Sequence, residues 1–342
     1  MNESRRIAQH HSAASRLLRV DAMQAERIAD GVHRLCTVMV NVYFVETSGR
    51  DWMLVDTGLP GCTHTIRREA ERLFGVPASA ILLTHGHFDH VGGLPALAEE
   101  WGVPVYAHPL ELPYLTGRSP YPPPDPTVGG GAQSWMSPLF PRGPIDLNGR
   151  VHMLPPGGDV PGVPGWQWLL TCGHSPGHVS FYRESDRTLI AGDAVVTTKQ
   201  ESIVAALLQR PERVWRPPAY YTCDWASARR SVETIAALEP ETLATGHGHA
   251  LRGPAMREGL HDLADHFDTL MPDHGRYIPY PAVTDQRGLV HVPPRIRPAP
   301  SQVAAAAAIG AAAIGALWLG RRGFSRARPR SAALQPSVAY RS

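Results

Sequence analysis

The sequence predicts an α/β fold of two mixed sheets packed on each other, with helices outside and an appendage at the C-terminus. Three observations predict it. Short runs rich in β-branched and aromatic residues occur in both halves of the chain, which suggests two sheets. Stretches with helical spacing of apolar residues lie between those runs. Four short polar motifs each follow a predicted strand directly, and the C-terminal ends of strands are where α/β sheets tend to place ligands.

Taken in order, Leu35 to Glu46 (LCTVMVNVYFVE) reads as a strand. Thr47–Ser48–Gly49–Arg50 is a turn, and Trp52 to Val55 is a second strand cut off by Asp56–Thr57–Gly58. Residues 61–74 have helical spacing, with Ile66, Ala70 and Leu73 on one face. Ala80 to Thr84 is a buried strand that runs into a histidine cluster. A helix over 94–101 and a strand over 103–106 follow. From Pro113 to Pro164 the chain is crowded with Pro and Gly, and a long irregular stretch of this kind is expected to cover an active site. Strands resume over 166–171, 178–182 and 188–190. Helices are expected over 225–238 and 254–270, with a strand over 242–244 between them.

Composition narrows the class. The chain has 342 residues, 43% of them hydrophobic and 19% charged, which suits a globular domain with a sizeable core. A formal net charge of +2 gives no support for a nucleic-acid partner. The four cysteines, Cys36, Cys62, Cys172 and Cys223, form no C-x-x-C pair, so unpaired thiols in a reducing compartment are expected. The N-terminus is polar and Arg-rich, unlike a secretory signal peptide, so a cytoplasmic location is expected. The 17 histidines exceed structural need, and histidine is the commonest metal ligand.

Three His and one Asp lie within six residues of Thr84–His85–Gly86–His87–Phe88–Asp89–His90. At a strand end, His85 and His87 can converge on one ion, and Asp89 and His90 on its neighbour. Imidazole and carboxylate donors suit zinc, with iron or manganese as alternatives. Four residues do not fill two coordination shells. Further donors are expected from His174 in GHSPGH, Asp193 in AGD and His247 in TGHGH, each after its own strand. A lone acid such as Asp193 after an apolar run is costly unless paired or coordinated.

On these motifs, together with Asp56–Thr57–Gly58, the chain resembles the metallo-β-lactamase fold superfamily over about residues 31–270. The resemblance implies an αββα four-layer sandwich with two metals at one edge. It implies that His85, His87 and His174 hold the first metal, that Asp89, His90 and His247 hold the second, and that Asp193 bridges them. Asp56 is similar to the family's acid below the site, which orients ligands, and His178 lies close enough to His174 to do the same. Asp rather than Cys at 193, with His90 present, is similar to the glyoxalase II and lactonase branch. The implied reaction is attack of a metal-bridged hydroxide on an ester, thioester or lactone, with Asp89 orienting it. Tyr220, Tyr221 and His178 are candidates to protonate the leaving atom. The alternatives are a mononuclear iron persulfide dioxygenase and a non-catalytic metal-binding scaffold. The expected partner is a small-molecule substrate.

The expected organisation is an N-terminal extension over 1–30, a hydrolase domain over 31–275 and a Pro-containing linker over 276–302. An Ala-rich apolar helix over 303–320 and a basic tail over 321–342 follow. Eighteen helical residues reach about 27 Å, near the roughly 30 Å of a bilayer core, so residues 303–320 also carry an expectation of membrane association.

Overall fold

The structure is a computed structural model, and it describes residues 24–297 apart from Asn148. The expected membrane-associated helix (303–320), the basic tail and most of the N-terminal extension lie outside the described residues. Among those described, no helix is long and apolar enough to cross a membrane.

The first half of the chain contains β1 (Glu26–Ala29), β2 (Val32–Thr37), β3 (Val40–Glu46), β4 (Trp52–Val55), α1 (Thr63–Leu73), β5 (Ala80–Leu82), α2 (Leu94–Trp101), β6 (Val105–Ala107), α3 (Leu112–Leu115), α4 (Ala132–Met136) and β7 (Val151–Met153). Its seven strands form one sheet in chain order. The pairs from β1 to β4 are antiparallel, and those from β4 to β7 are parallel. The second half contains β8 (Trp166–Leu170), β9 (Val179–Arg183), β10 (Thr188–Ile190), α5 (Ile203–Leu208), α6 (Trp225–Ala237), β11 (Thr242–Ala244), β12 (Leu251–Arg252), α7 (Pro254–Asp265), α8 (Phe267–Leu270), β13 (Val283–Asp285) and β14 (Gly288–His291). A five-stranded sheet runs in the order β12-β11-β10-β9-β8, and β13 and β14 make a separate hairpin.

Period-two alternation assigns each strand face to its own core. In β3, Val42 and Phe44 face one cluster, while Tyr43 and Val45 face another. In β4, Trp52 and Leu54 separate from Met53 and Val55 in the same way. One face packs on Ile66 and Ala70 of α1 and on Leu94, Leu97 and Ala98 of α2. The opposite faces of both sheets meet around Val55, Leu82, Val179, Phe181, Ile190 and Ala244. A third cluster joins Leu189 and Leu243 of the second sheet to Val232 and Ile235 of α6 and to Leu260 and Leu263 of α7. Three apolar layers between four layers of structure make the αββα sandwich that the sequence predicts.

Two differences from the expected elements bear on the site. The run 35–46 is not one strand but most of a hairpin, with β2 paired to β3 from Val32↔Val45 to Thr37↔Val40. Its turn at Val38 and Met39 contains no Gly, Pro or Asn, and Val38 takes a positive φ of 70°. The region 200–224, for which no element is read from the sequence, contains the short helix α5. In addition, β1 lies within the segment expected as an extension, and β13–β14 lies within the expected linker.

Phe181 is fully buried between the sheets. Truncating it to Ala is expected to lower stability by about 3–5 kcal/mol, read as a shifted denaturant midpoint with an unchanged slope.

Candidate metal centre

Strands β4 and β5 run parallel, as do β10 and β11, so their C-terminal ends gather at one edge of the sandwich. Asp56 follows β4, the His85–His90 turn follows β5, Asp193 follows β10 and His247 follows β11. Cross-sheet hydrogen bonds hold these ends together. The Val179 N–H donates to Thr84 O at 2.9 Å, and the Asn41 N–H donates to Gly246 O at 2.8 Å. The Asn41 amide also donates to Thr245 O and Gly248 O, both at 2.7 Å.

All seven residues expected as donors come together there. Donor atoms of His85, His87 and His174 lie within 4.8 Å of one another. The same holds for His85, His90 and Asp193, and for Asp89, His90 and His247. His87 Nδ1 is 3.0 Å from His174 Nε2. Asp193 Oδ2 stands 3.1 Å from His247 Nε2, 3.4 Å from His174 Nε2 and 3.6 Å from His90 Nε2, so it lies between the groups. His85 Nε2, His90 Nε2 and Asp193 Oδ1 are buried with no hydrogen-bond partner. A buried unpaired polar atom costs about 1–3 kcal/mol, and three in one cluster are what a metal-binding site without its ions would contain. The residues therefore fit divalent metal.

Asp56 orients two of these rings. It takes a positive φ of 60°, an uncommon conformation for a residue with a Cβ. Its Oδ1 and Oδ2 accept from the Thr84 N–H and Oγ1–H at 2.9 and 2.7 Å, and Oδ2 also accepts from His90 Nδ1–H at 2.8 Å. Because Thr84 Oγ1 gives its proton to Asp56, it accepts from His85 Nδ1–H at 3.0 Å. Both rings thus donate through Nδ1–H and turn Nε2 toward the cluster.

Two other contacts set the remaining rings. His247 Nδ1–H donates to Met39 O at 2.8 Å, which leaves its Nε2 free. His178 Nε2 accepts from the Asp193 N–H at 2.9 Å. Its Nδ1–H then donates to Thr171 Oγ1 at 3.0 Å, which donates to Ser180 Oγ at 2.8 Å, which donates to Ala191 O at 3.1 Å. His178 therefore props the Asp193 turn. With both ring nitrogens engaged and a pKa pressed down to about 3 by burial, it is unsuited to protonate a leaving group.

Burial, reinforced by the neighbouring imidazoles, drives His85 well below the usual histidine range. Burial likewise lowers His87, and it lowers His174 to about 4. These three rings are neutral, as ligands must be. Burial acts the same way on His90 and His247, but the Asp193 carboxylate overrides it and raises both. Asp193 is held well below its usual range against burial, chiefly by His247 and His90. Burial raises Asp89.

Glu111 is a participant that sequence reasoning missed. It lies just before α3, at the start of the Pro/Gly-rich stretch, and is 1% exposed. Its Oε2 accepts from the Gly86 N–H at 3.0 Å and from the Tyr121 hydroxyl. Its Oε1 accepts from Ser175 Oγ and the Gly177 N–H, both at 2.7 Å. One carboxylate thus ties the His85–His90 turn to the His174 turn. No periodicity or motif marks Glu111, which is one charged residue in the turn before α3. Met39 was missed for a similar reason, since only its backbone carbonyl acts.

The expected cover is present. Tyr121 meets His87 edge-on with centroids 4.7 Å apart, and Tyr221 stacks on it at 4.3 Å. Phe140 packs on Phe88, Tyr220 and Tyr221. The Tyr220 hydroxyl donates to Gln133 Oε1 at 3.2 Å, and Gln133 Nε2 reaches Met39 Sδ at 3.8 Å. Burial raises both Tyr220 and Tyr221 far above their usual range. The four cysteines are free, with Cys62 and Cys223 buried.

Fold and site together support a metal-dependent hydrolase. A family model described as the metallo-beta-lactamase superfamily matches residues 37–247, and the chain belongs to that superfamily. It is 43% identical over 246 residues to the probable metallo-hydrolase YflN of Bacillus subtilis (strain 168), covering 71% of this chain and 93% of that one. It is 35% identical over 164 residues to the probable metallo-hydrolase YybB of the same organism, covering 48% and 66%. The solved structure of MEM-A1, a subclass B3 metallo-beta-lactamase from a soil metagenome library, superposes with a TM-score of 0.52 at 18% identity, covering 73% and 96%. At that identity the likeness speaks to fold alone.

Asp56→Ala is expected to lower metal affinity by about 10–100-fold, measured by competition with a chelating dye, because the His90 Nδ1 anchor is lost and Thr84, which anchors His85, is no longer held. A pH effect is expected from Glu201, which is 3% exposed and 2.6 Å from Arg216. Burial would raise its pKa, but Arg216 overrides burial and lowers it. The folded form therefore holds this proton more weakly than the unfolded chain. The stabilisation is full above the usual carboxylate range and is lost as pH falls through the lowered folded value. Denaturation of wild type and Glu201→Gln is expected to show the difference between them shrinking as the medium is acidified.

Proposed function

We propose that the protein is a dinuclear metal-dependent hydrolase of a small ester, thioester or lactone. His85, His87 and His174 hold one ion, Asp89, His90 and His247 hold the second, and Asp193 bridges them. The observation that carries this reading is the trio of buried, partnerless atoms, His85 Nε2, His90 Nε2 and Asp193 Oδ1, pointing into one cluster of imidazoles and carboxylates. The donor set is nitrogen and oxygen without thiolate, which suits zinc and also accommodates iron or manganese.

Bound there, two divalent ions supply a Lewis acid and bring the pKa of a coordinated water toward neutrality. The protein's own residues supply position. Asp56 and His178 lock ring orientation and the Asp193 turn, so that little reorganisation accompanies reaction. Asp89 is more exposed than the ligand histidines beside it, with a side chain 13% accessible, and is the acid placed to orient an attacking water. Tyr121, Tyr221 and Phe140 wall the His87 side with aromatic surface and exclude bulk water. Tyr220 and Tyr221 stay protonated and neutral, Tyr221 beside His87 and Phe88, and they serve this site as part of its wall.

Metal analysis of the purified protein, paired with a panel of generic ester, thioester and lactone substrates, tests this reading. About two metals per chain and turnover of one class are expected, with His85→Ala losing both metal and activity. One iron per chain with oxygen consumption on a persulfide would replace it with the dioxygenase reading. Two metals and no turnover on any class would favour a scaffold. A His85→Ala variant that keeps its metals and its activity would sink the site.

A further inference from the structure

A cavity of about 180 Å³ lies apart from the metal cluster, and its lining includes Asp125, Thr127, Arg142, Arg276 and Arg295. Among the described residues, none of its three guanidiniums forms an ion pair with a carboxylate. Arg142 donates through Nε and Nη2 to a backbone carbonyl, Tyr121 O, at 2.9 and 2.5 Å. Arg276 is 7% exposed and lies against the Tyr277 ring, with its guanidinium carbon 6.0 Å from the centroid.

Asp125 is the one acid in the lining, and it is already committed. Its Oδ1 accepts from the Thr127 N–H and Oγ1–H at 2.9 and 2.6 Å, and its Oδ2 accepts from the Arg276 N–H. Three guanidiniums against one carboxylate leave two positive charges around a small space. Burial lowers the Arg142 pKa, and the charges of Arg276 and Arg295 lower it further despite nearby tyrosines, as expected where like charges converge without a counterion. Holding three cations together costs free energy unless an anion joins them.

We propose that this cavity is a binding site for a dianionic tetrahedral oxyanion, the phosphoryl group of inorganic phosphate or of a small phosphate monoester. The volume suits one such group, guanidinium forks match its oxygens, and its charge near neutral pH matches the uncompensated two. The site touches the cover of the metal centre from behind. Arg142 binds Tyr121 O, and the Asp125 N–H donates to Tyr220 O at 2.7 Å. An anion that fixes Arg142 and Arg276 thereby steadies the two segments whose tyrosines pack on and beside His87.

The test uses the full chain with its metals, followed by thermal unfolding at constant ionic strength. Inorganic phosphate and sulfate are expected to raise the midpoint saturably, while acetate, a monoanion, leaves it unchanged. Arg295→Gln is expected to weaken the apparent affinity at least tenfold with metal content unaltered, and Arg276→Gln at least as much. Arg295 is exposed, so its substitution leaves the fold intact even if the buried Arg276 variant does not fold. Phenyl phosphate binding tighter than inorganic phosphate supports an organic monoester as ligand, and equal affinity supports free phosphate. No protection by phosphate overturns the proposal. So does equal protection by acetate, or protection that is undiminished in Arg295→Gln, which would place the anion at the metals. None of these readouts depends on hydrolysis, so the outcome is separable from that of the proposed activity.

Discussion

The buried carboxylate of Asp56 is the constraint on which the metal edge depends. An acid 2% exposed is tolerable only if its oxygens are filled, and the donors that fill them are Thr84 and His90. Satisfying Asp56 thus fixes the strand end that leads into the histidine turn, and through Thr84 it fixes His85 as well. Its own backbone sits at positive φ, a cost borne where one residue sets the orientation of two others. The same logic recurs at Glu111, which satisfies its buried carboxylate with donors from two separate turns and so holds them in register.

The two sheets contribute unequally. The first supplies Asp56 and the dense His85–His90 turn, and the second supplies His174, Asp193 and His247 singly. The site therefore exists only when the sheets are packed, and the apolar layer between them is also the platform of the chemistry. Asn41 and Tyr43 show the coupling directly. Both stand on β3 of the first sheet and hydrogen-bond to the backbone of the His247 turn on the second. Unpaired carbonyls at that edge are satisfied by the opposite sheet, so packing and ligand position are one interaction.

The Pro/Gly-rich half has a definite arrangement for an equally physical reason. Irregular backbone must find partners for its polar groups, and here it finds them against the site. Tyr121, Gln133 and Arg142, with Glu111 just before the stretch, each bind a group that contacts a proposed ligand or its cover. Such contacts have no period, which is why the sequence reading could expect a cover from composition but could not name its members. The hairpin at Val38 and Met39 was hidden differently. Its turn uses β-branched and apolar residues in place of Gly, Pro or Asn, so it read as continuous strand.

By itself the sequence determined the strands and helices with strong periodicity, the two-sheet class, and the seven residues that converge at the edge. Those features are local: alternation, helical spacing, and motifs that each sit directly after a strand. Only the tertiary structure decided that His178 binds the backbone N–H of Asp193, that Met39 and Glu111 take part, and that Arg142, Arg276 and Arg295 share one cavity. Each of these joins residues far apart in the chain through a backbone atom, a buried carboxylate or a shared charge. Such partners are chosen by packing and by the cost of leaving a polar group unsatisfied, and neither is written into a short stretch of sequence.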